Sequence, residues 1–291
     1  MKMLKKVVFK IIRILDFDVK FGHQFKNNKI LKKLLFTPDF YSDNDEFVVT
    51  RGAVKFNVRP KDLSEWMILY GQTDDLVLSE IFELSKAKKT LIIFDIGANV
   101  GQFSIKASKM LPDAKIHSFE PNPTTYGRFI KNIQLNIDVN VNCHQYAVGK
   151  EEGSIEIQMP LRNSGAASLV RNYEAEKHEK HMVDVVSVDD FVKKENVVVV
   201  DFMKIDVENF EPFVLQGAYG VISKFHPTIY IEQGKNSSAG TGFPNDWVLN
   251  HLIENGYKLY LDNNDHFEPI DDLNKVLEIS LINVLARFEK N

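Results

Sequence analysis

Five short apolar runs, most of them separated by a helix-length segment, constrain this chain more than any other feature. They are LIIFDI (91–96), AKIHSFE (114–120), VNVNCHQYAV (139–148), VVVVDFMKIDV (197–207) and PTIYIEQ (227–233). Consecutive apolar positions suit strands covered on both faces, and strands alternating with helices form a mostly parallel sheet. The intervening segments read as helices over 101–111, 123–136 and 209–218, with a further helix over 243–255. KLYLD and LEISLINVLARF finish the chain as an antiparallel pair. The expected fold class is α/β, a Rossmann-like, mostly parallel sheet with helices on both faces.

Upstream, EFVVTRGAVKFNV (46–58) alternates around Arg51-Gly52 and reads as a β-hairpin, and residues 63–86 read as helical. Between 150 and 186 the alternating pieces SIEIQM and MVDVVSV suggest a hairpin insertion, a lid or acceptor-side wall. The expected organisation is a basic arm (1–45), a hairpin and helical segment packing on the core (46–90), and a main domain (91–291) carrying that insertion.

The net charge of −4 gives no electrostatic case for nucleic acid. Its distribution is uneven, because ten of the 36 Lys/Arg but only two of the 40 Asp/Glu fall within residues 1–36. Leu4, Val7, Val8, Ile11, Ile12 and Leu15 recur at helical spacing with lysines opposite. Such a basic amphipathic helix either packs on its own domain or a twin subunit, or attaches through residues 1–20 to an anionic membrane surface. Cys143 is the lone cysteine, so no intrachain disulfide and no cysteine metal site can form. No run approaches the ~18 apolar residues of a membrane span. The expected location is cytoplasmic, at the inner face of a membrane where the helix attaches to one rather than packing on protein.

The stretch FDIGANVGQF (94–103) carries the chemistry. In open α/β sheets ligands bind beyond the carboxyl ends of the strands. Asp95, Gly97, Asn99 and Gly101 fall there, and the glycines let backbone approach a ligand closely. Asp95 would accept hydrogen bonds from loop amides or from a cationic ligand. Glu120, at the tip of the second strand, is placed to take both hydroxyls of a ribose. A nucleoside cofactor follows, either S-adenosylmethionine or a dinucleotide. The D-x-G-x-x-x-G spacing lacks the third glycine of a dinucleotide site, and an acid there would repel a pyrophosphate. S-Adenosylmethionine is the preferred cofactor.

FDIGANVGQFS, HSFEPNP and MKIDVENFEPFVLQGA together resemble the FkbM-type methyltransferases, a branch of the class I S-adenosylmethionine-dependent enzymes. AVGKEEGSIEI, SGAASLV, VVSVDDFV and PTIYIEQG extend the resemblance, in order, over about 90–235. It implies a seven-stranded sheet with the last strand antiparallel, and O-methylation, often of sugar hydroxyls. It implies that Asp95, Gly97, Asn99 and Gly101 line the methionine end of the cofactor. Glu120, with Pro121 and Asn122, would hold the ribose. Gln145, Tyr146 and Ala147 would lie near the adenine, and Asp206 would face the transferable methyl. One stretch departs from the pattern. Where the family has an acid, a glycine, a small residue and another acid, this chain has Glu208-Asn209-Phe210-Glu211. Asn tolerates a left-handed backbone, so the turn can form, but Phe210 is bulky for an acceptor pocket.

Methyl transfer to a hydroxyl is an in-line displacement helped by a general base. Asp206, Glu208, Glu211 and Glu232 all sit at or just after strand ends, with Glu232 favoured over Glu211. Lys204 alternates with Asp206 and so shares its side of the strand. The same carboxylates are a set that could hold a divalent metal, an alternative this reading does not favour. His144, His178, His181 and His226 read as structural or solvated. Asn163, Ser164, Gly165 and Ser168 in the insertion offer polar groups to a sugar. The resulting expectation is an S-adenosylmethionine-dependent O-methyltransferase acting on a saccharide or glycoconjugate. The rivals are an NAD-dependent sugar oxidoreductase and a non-catalytic cofactor-binding or assembly subunit. Oligomeric state stays open.

Overall fold

The computed structural model describes residues 37–70, 74–170, 177–235 and 239–289. The amphipathic segment expected over 3–15, and with it the membrane contact through 1–20, lies outside them. The N-terminal unit is a hairpin, β1 (Phe47–Arg51) and β2 (Val54–Val58), followed by α1 (Leu63–Leu69) and α2 (Asp75–Ala87). The core then runs β3 (Ile92–Ile96), α3 (Gln102–Met110), β4 (Lys115–Phe119), α4 (Pro123–Gln134) and β5 (Val141–His144). An excursion follows through β6 (Ala147–Val148), β7 (Gly153–Pro160) and β8 (His178–Val186), which form a separate three-stranded sheet ordered β6-β8-β7. The chain returns through α5 (Val188–Lys194), β9 (Phe202–Ile205), α6 (Glu211–Gln216), α7 (Tyr219–Phe225) and β10 (Thr228–Gln233). It ends with α8 (Trp247–Glu254), β11 (Tyr257–Asp262), β12 (Phe267–Pro269), α9 (Leu273–Leu277) and β13 (Ile282–Phe288).

The main sheet has eight strands in the order β12-β11-β13-β10-β9-β3-β4-β5. Strands β5, β4, β3, β9 and β10 are parallel, and β13 runs antiparallel between β10 and β11. The expected seven strands with an antiparallel last strand are therefore present. The short β12 adds an eighth on the edge of β11. Among the described residues no helix is long and apolar enough to cross a membrane.

Alternation along β3 explains how both sheet faces are covered. Phe94 and Ile96 enter one apolar cluster with Val214, Val221 and Leu249. Leu91 and Ile93 enter another with Val77, Ile81, Phe103 and Ala107. Asp95 shares the parity of Ile93, so its side chain falls on the second face.

The N-terminal unit packs on the core through a third cluster. Val49, Phe56 and Leu69 meet Ala98, Ile105 and Phe129. Tyr41 is buried there as well, with its hydroxyl 3.0 Å from that of Tyr70. The basic arm expected over 1–45 thus gives way to packed structure before residue 45. Beneath the hairpin, Glu65 is fully buried and takes a two-pronged hydrogen bond from Arg128 of α4, a pairing that keeps both charges matched inside the protein.

Two segments depart from expectation. Residues 139–148 form two strands, because the chain leaves the main sheet after His144 and Ala147 pairs with Val185 in the small sheet. Of 197–207, only Phe202–Ile205 is strand, and Val198 is largely exposed.

Helix α4 follows the tip of β4 and is fixed by its cap. The Asn122 side chain accepts from the amides of Thr124 (2.9 Å) and Thr125 (3.1 Å), and Pro123 occupies the first turn. Asn122→Ala is expected to cost about 1 kcal/mol, read as a melting point lowered by roughly 2–4 °C.

Candidate active site

The carboxyl ends of β3, β4 and β9 meet in one cleft, and the turn after β3 shapes its floor. Gly97 (φ 85°) and Ala98 both donate to the Phe119 carbonyl, at 3.0 and 2.9 Å, which ties the turn to β4. A Cβ on Gly97 would stand 1.8 Å from the backbone oxygen of Asp206, so only glycine allows β9 to end this close. Asn99 is left-handed (φ 49°), and its amide donates to Glu120 Oε2 at 3.0 Å. Gly101 (φ 86°) lies under the Phe129 ring, which occupies the place of a Cβ. Gly101 therefore serves helix packing and is not among the residues lining the cleft.

Glu120 is 6% exposed and lines the cleft. Its other oxygen accepts from the Asn122 amide at 2.9 Å. Burial pushes its pKa up to about 7, against the pull of those two amides. Pro121, Tyr146 and Ala147 also line the cleft, joined by Phe119, Val148, Ile157 and Leu169 as an apolar wall. Asn122 is buried as the α4 cap, and Gln145 faces a neighbouring surface cleft with Cys143 and Asp184. Ser164, Gly165 and Ala167 of the insertion close the cleft from above, whereas Asn163 faces an adjoining groove with Arg59 and Thr124.

Asp95 lies behind the cleft rather than on its surface. It is fully buried and accepts from Ser104 Oγ, which is also 2.6 Å from Ser118 Oγ. Its other oxygen has no hydrogen-bond partner among the described residues. Burial raises its pKa to about 6, opposed chiefly by Lys204, its register partner on β9. Lys204 is 8% exposed and donates to Asp206 Oδ2 at 2.9 Å. Burial works against its charge, but the Coulomb fields of Asp206, Asp95 and Asp74 outweigh it and raise its pKa. Lys204 thus bridges the buried acid and the cleft acid. This explains why an aspartate can end a buried strand, for a carboxylate with a cation and a hydroxyl beside it bears desolvation better than a bare one.

At the far end, Asp206 and Glu208 line the cleft. Oxygens of Asp206, Glu208 and Glu232 come within 4.8 Å of one another. Burial first, then the neighbouring carboxylates, raise Glu232 to about 9 and Glu211 to about 8. The three convergent carboxylates are the group among the described residues that could hold a metal ion, with Lys204 already placing one positive charge on Asp206. Glu211 is turned inward, where it accepts from the Val207 amide at 3.1 Å. The departing turn does form. Glu208 and Asn209 are both left-handed (φ 53° and 79°), and the Phe210 ring packs on Phe213 and against Gly149, away from the cleft.

The donor set fits S-adenosylmethionine. Glu120 can accept from a ribose diol, the apolar wall suits adenine, and Asp206 and Glu208 suit a cationic end. Among the described residues no Lys, Arg or His lines the cleft. A dinucleotide would set its pyrophosphate against three carboxylates, of which Asp206 alone has a cation paired with it among the described residues, and the electrostatics disfavour that. Three residues that matter here went unrecognised in the sequence, namely Ser104, Ser118 and the apolar Leu169. Each comes from an element whose position against the glycine turn is set only by tertiary packing.

A mostly parallel sheet, a glycine turn after its first core strand and an acid after its second define a nucleoside-cofactor-binding α/β domain. The Methyltransferase FkbM domain model matches residues 95–259, more than half of the chain, and the protein belongs to that family of methyltransferases, whose methyl donor is S-adenosylmethionine. Methyltransferase 1 of Beauveria bassiana is 29% identical over 160 residues, which is 49% of this chain and 64% of the relative. The hexuronic acid methyltransferase AglP of Haloferax volcanii is 25% identical over 168 residues, 57% of this chain and 64% of the relative. The match thus spans a little under two thirds of these relatives. Among solved structures, a FkbM methyltransferase from Methylobacillus flagellatus KT superposes with a TM-score of 0.44 at 16% identity, over 69% of this chain and 44% of that one.

Proposed function

We propose that this protein transfers a methyl group from S-adenosylmethionine to a hydroxyl of a saccharide or glycoconjugate. The observation that carries the reading is a cleft that, among the described residues, no Lys, Arg or His lines. It runs from a buried, diol-accepting Glu120 to the carboxylates of Asp206 and Glu208, with Glu232 converging on them. The likeness to a hexuronic acid methyltransferase supports a sugar acceptor.

Bound S-adenosylmethionine supplies an electrophilic methyl group on a positively charged sulfur. Glu120 holds the ribose, and the apolar wall excludes water from the adenine. Lys204 orients Asp206 through their 2.9 Å ion pair, leaving the second Asp206 oxygen for the cationic end of the cofactor. Glu232 would take the proton of the acceptor hydroxyl when that oxygen accepts the methyl group. Its raised proton affinity suits a base, and a cation beside Asp206 and Glu208 favours its ionised form.

The test is transfer of labelled methyl from S-adenosylmethionine to a panel of uronic acids and neutral sugars. Glu232→Gln is expected to lower kcat roughly a hundredfold while S-adenosylhomocysteine binds as in the wild type. Undiminished turnover removes Glu232 as the base. Absence of labelled product with every sugar, from protein that binds the cofactor, removes the saccharide reading.

A further inference from the structure

The insertion does more than wall the cleft. After β7 the chain arches over residues 161–167 and returns at Ser168, where paired backbone hydrogen bonds to Gln158 (2.9 and 3.0 Å) close the base of the arch. The crest of the arch is fastened to the first turn of α1, about a hundred residues earlier in the chain. The Leu63 amide donates to the Arg162 carbonyl at 2.9 Å. The Ser164 amide and hydroxyl donate to Asp62, to Oδ2 at 2.6 Å and to Oδ1 at 3.1 Å. The Gly165 amide donates to Ser64 Oγ at 2.9 Å, and that hydroxyl donates to Asn163 Oδ1 at 3.1 Å. Next to the returning strand, Ser168 Oγ donates to the Glu208 carbonyl at 2.7 Å.

The arch therefore lies over the cleft, with Ser164, Gly165 and Ala167 against it, and is held at both sides. Asp62 has two duties. Its Oδ1 caps α1 by accepting from the amides of Ser64 (3.0 Å) and Glu65 (3.2 Å), and its Oδ2 holds the Ser164 amide. It is 7% exposed, as is Ser164, so these bonds form away from competing water.

We propose that residues 161–168 are a strap that opens to admit the cofactor and closes to retain it, and that Asp62 and Ser64 are its clasp. The N-terminal unit is then part of the cofactor site although it touches no cofactor, and Asp62 is a positioning residue that acts through the strap. The inference rests on the reading that the cleft takes S-adenosylmethionine.

Asp62→Asn separates the two duties of Asp62. Asn caps helices as well as Asp does, and the two α1 amides claim its carbonyl oxygen. The amide nitrogen then faces the Ser164 N–H, donor against donor. Ser64→Ala is the second variant and opens the clasp at Gly165. The measurement is the rate at which each protein releases S-adenosylhomocysteine in stopped flow, together with amide hydrogen exchange of the free proteins. Release is expected to be roughly tenfold faster in each variant. The Ser164 amide should exchange faster in Asp62→Asn than in the wild type, and the Gly165 amide faster in Ser64→Ala. In Asp62→Asn the Ser64 and Glu65 amides should stay protected. Unchanged release in both variants overturns the proposal. So does faster release of Asp62→Asn accompanied by loss of protection at Ser64 and Glu65, which would mean that the helix had frayed. Wild-type protein that binds no S-adenosylhomocysteine overturns the cofactor reading itself. Wild-type protein that binds it but leaves Ser164 and Gly165 unprotected overturns the strap alone.

Discussion

Gly97→Ala is expected to abolish cofactor binding and to lower the melting temperature by on the order of 10 °C. The new Cβ would lie 1.8 Å from the Asp206 carbonyl oxygen and 2.8 Å from its carbon. Both partners are backbone, so no rotamer relieves the overlap, and the end of β9 must move. The left-handed φ of 85° adds its own strain for any residue with a Cβ. Overpacking of about 1–3 kcal/mol and about 1–2 kcal/mol for the backbone give a combined cost of several kcal/mol. In the proposed function the displaced carbonyl belongs to the residue that meets the cationic end of the cofactor, so the site is expected to be lost even in molecules that fold. Gly127→Ala is the control. Gly127 is exposed on α4, its added Cβ meets nothing within 4 Å, and the change is expected to stabilise by up to about 1 kcal/mol. Thermal melts and calorimetry with S-adenosylhomocysteine check both. A Gly97→Ala protein with wild-type affinity would show that β9 and the turn do not need to touch.

Glu120→Ala should weaken S-adenosylhomocysteine binding by roughly a thousandfold, since two hydrogen bonds to a charged acceptor contribute about 1.5–3 kcal/mol each. The change also strips the acceptor from the Asn99 and Asn122 amides, so the turn after β3 loosens as the proposed ribose acceptor disappears. The pH dependence makes a sharper test. Burial raises Glu120 from 4.5 to about 7, so the folded protein holds this proton more tightly than the unfolded chain does. The associated stability is full below 4.5 and is lost as pH rises through about 7. Cofactor affinity moves the other way, because two ribose donors need the ionised form. Binding is expected to be roughly tenfold weaker at pH 6 than at pH 8, and the slope should vanish in Glu120→Gln. A wild-type affinity that is flat across this range would remove Glu120 as the ribose acceptor.

How far the site could be read from sequence depended on the distance over which each residue acts. The positions of β3 and β4, and the glycine turn between β3 and α3, followed from local pattern because apolar runs and left-handed glycines leave marks within a few residues. Asp95 did not. Its place at a strand end was visible, but the lysine facing it stands more than a hundred residues away on β9, and the hydroxyl that covers it belongs to α3. What decides its role is which strand lies beside β3, a property of topology rather than of motif. Residues 139–148 show the same limit, since nothing local marks Gln145 as the point of departure from the main sheet. The turn at Glu208-Asn209 was legible, because Asn signals its own tolerance of positive φ. The direction of the Phe210 ring was not, because it is set by the absence of a side chain at Gly149.

The last strand carries a consequence for biosynthesis. β13 lies between β10 and β11, with Ile229 opposite Ala286 on one side and Tyr257 opposite Phe288 on the other. A growing chain that has delivered everything through β11 still has a gap in its sheet, with Ile229 and Ile231 offering an unpaired ladder along β10. Ribosomes release residues in order, so the edge of β10 stays open until residues 282–288 clear the exit tunnel, and the sheet cannot be completed before they do.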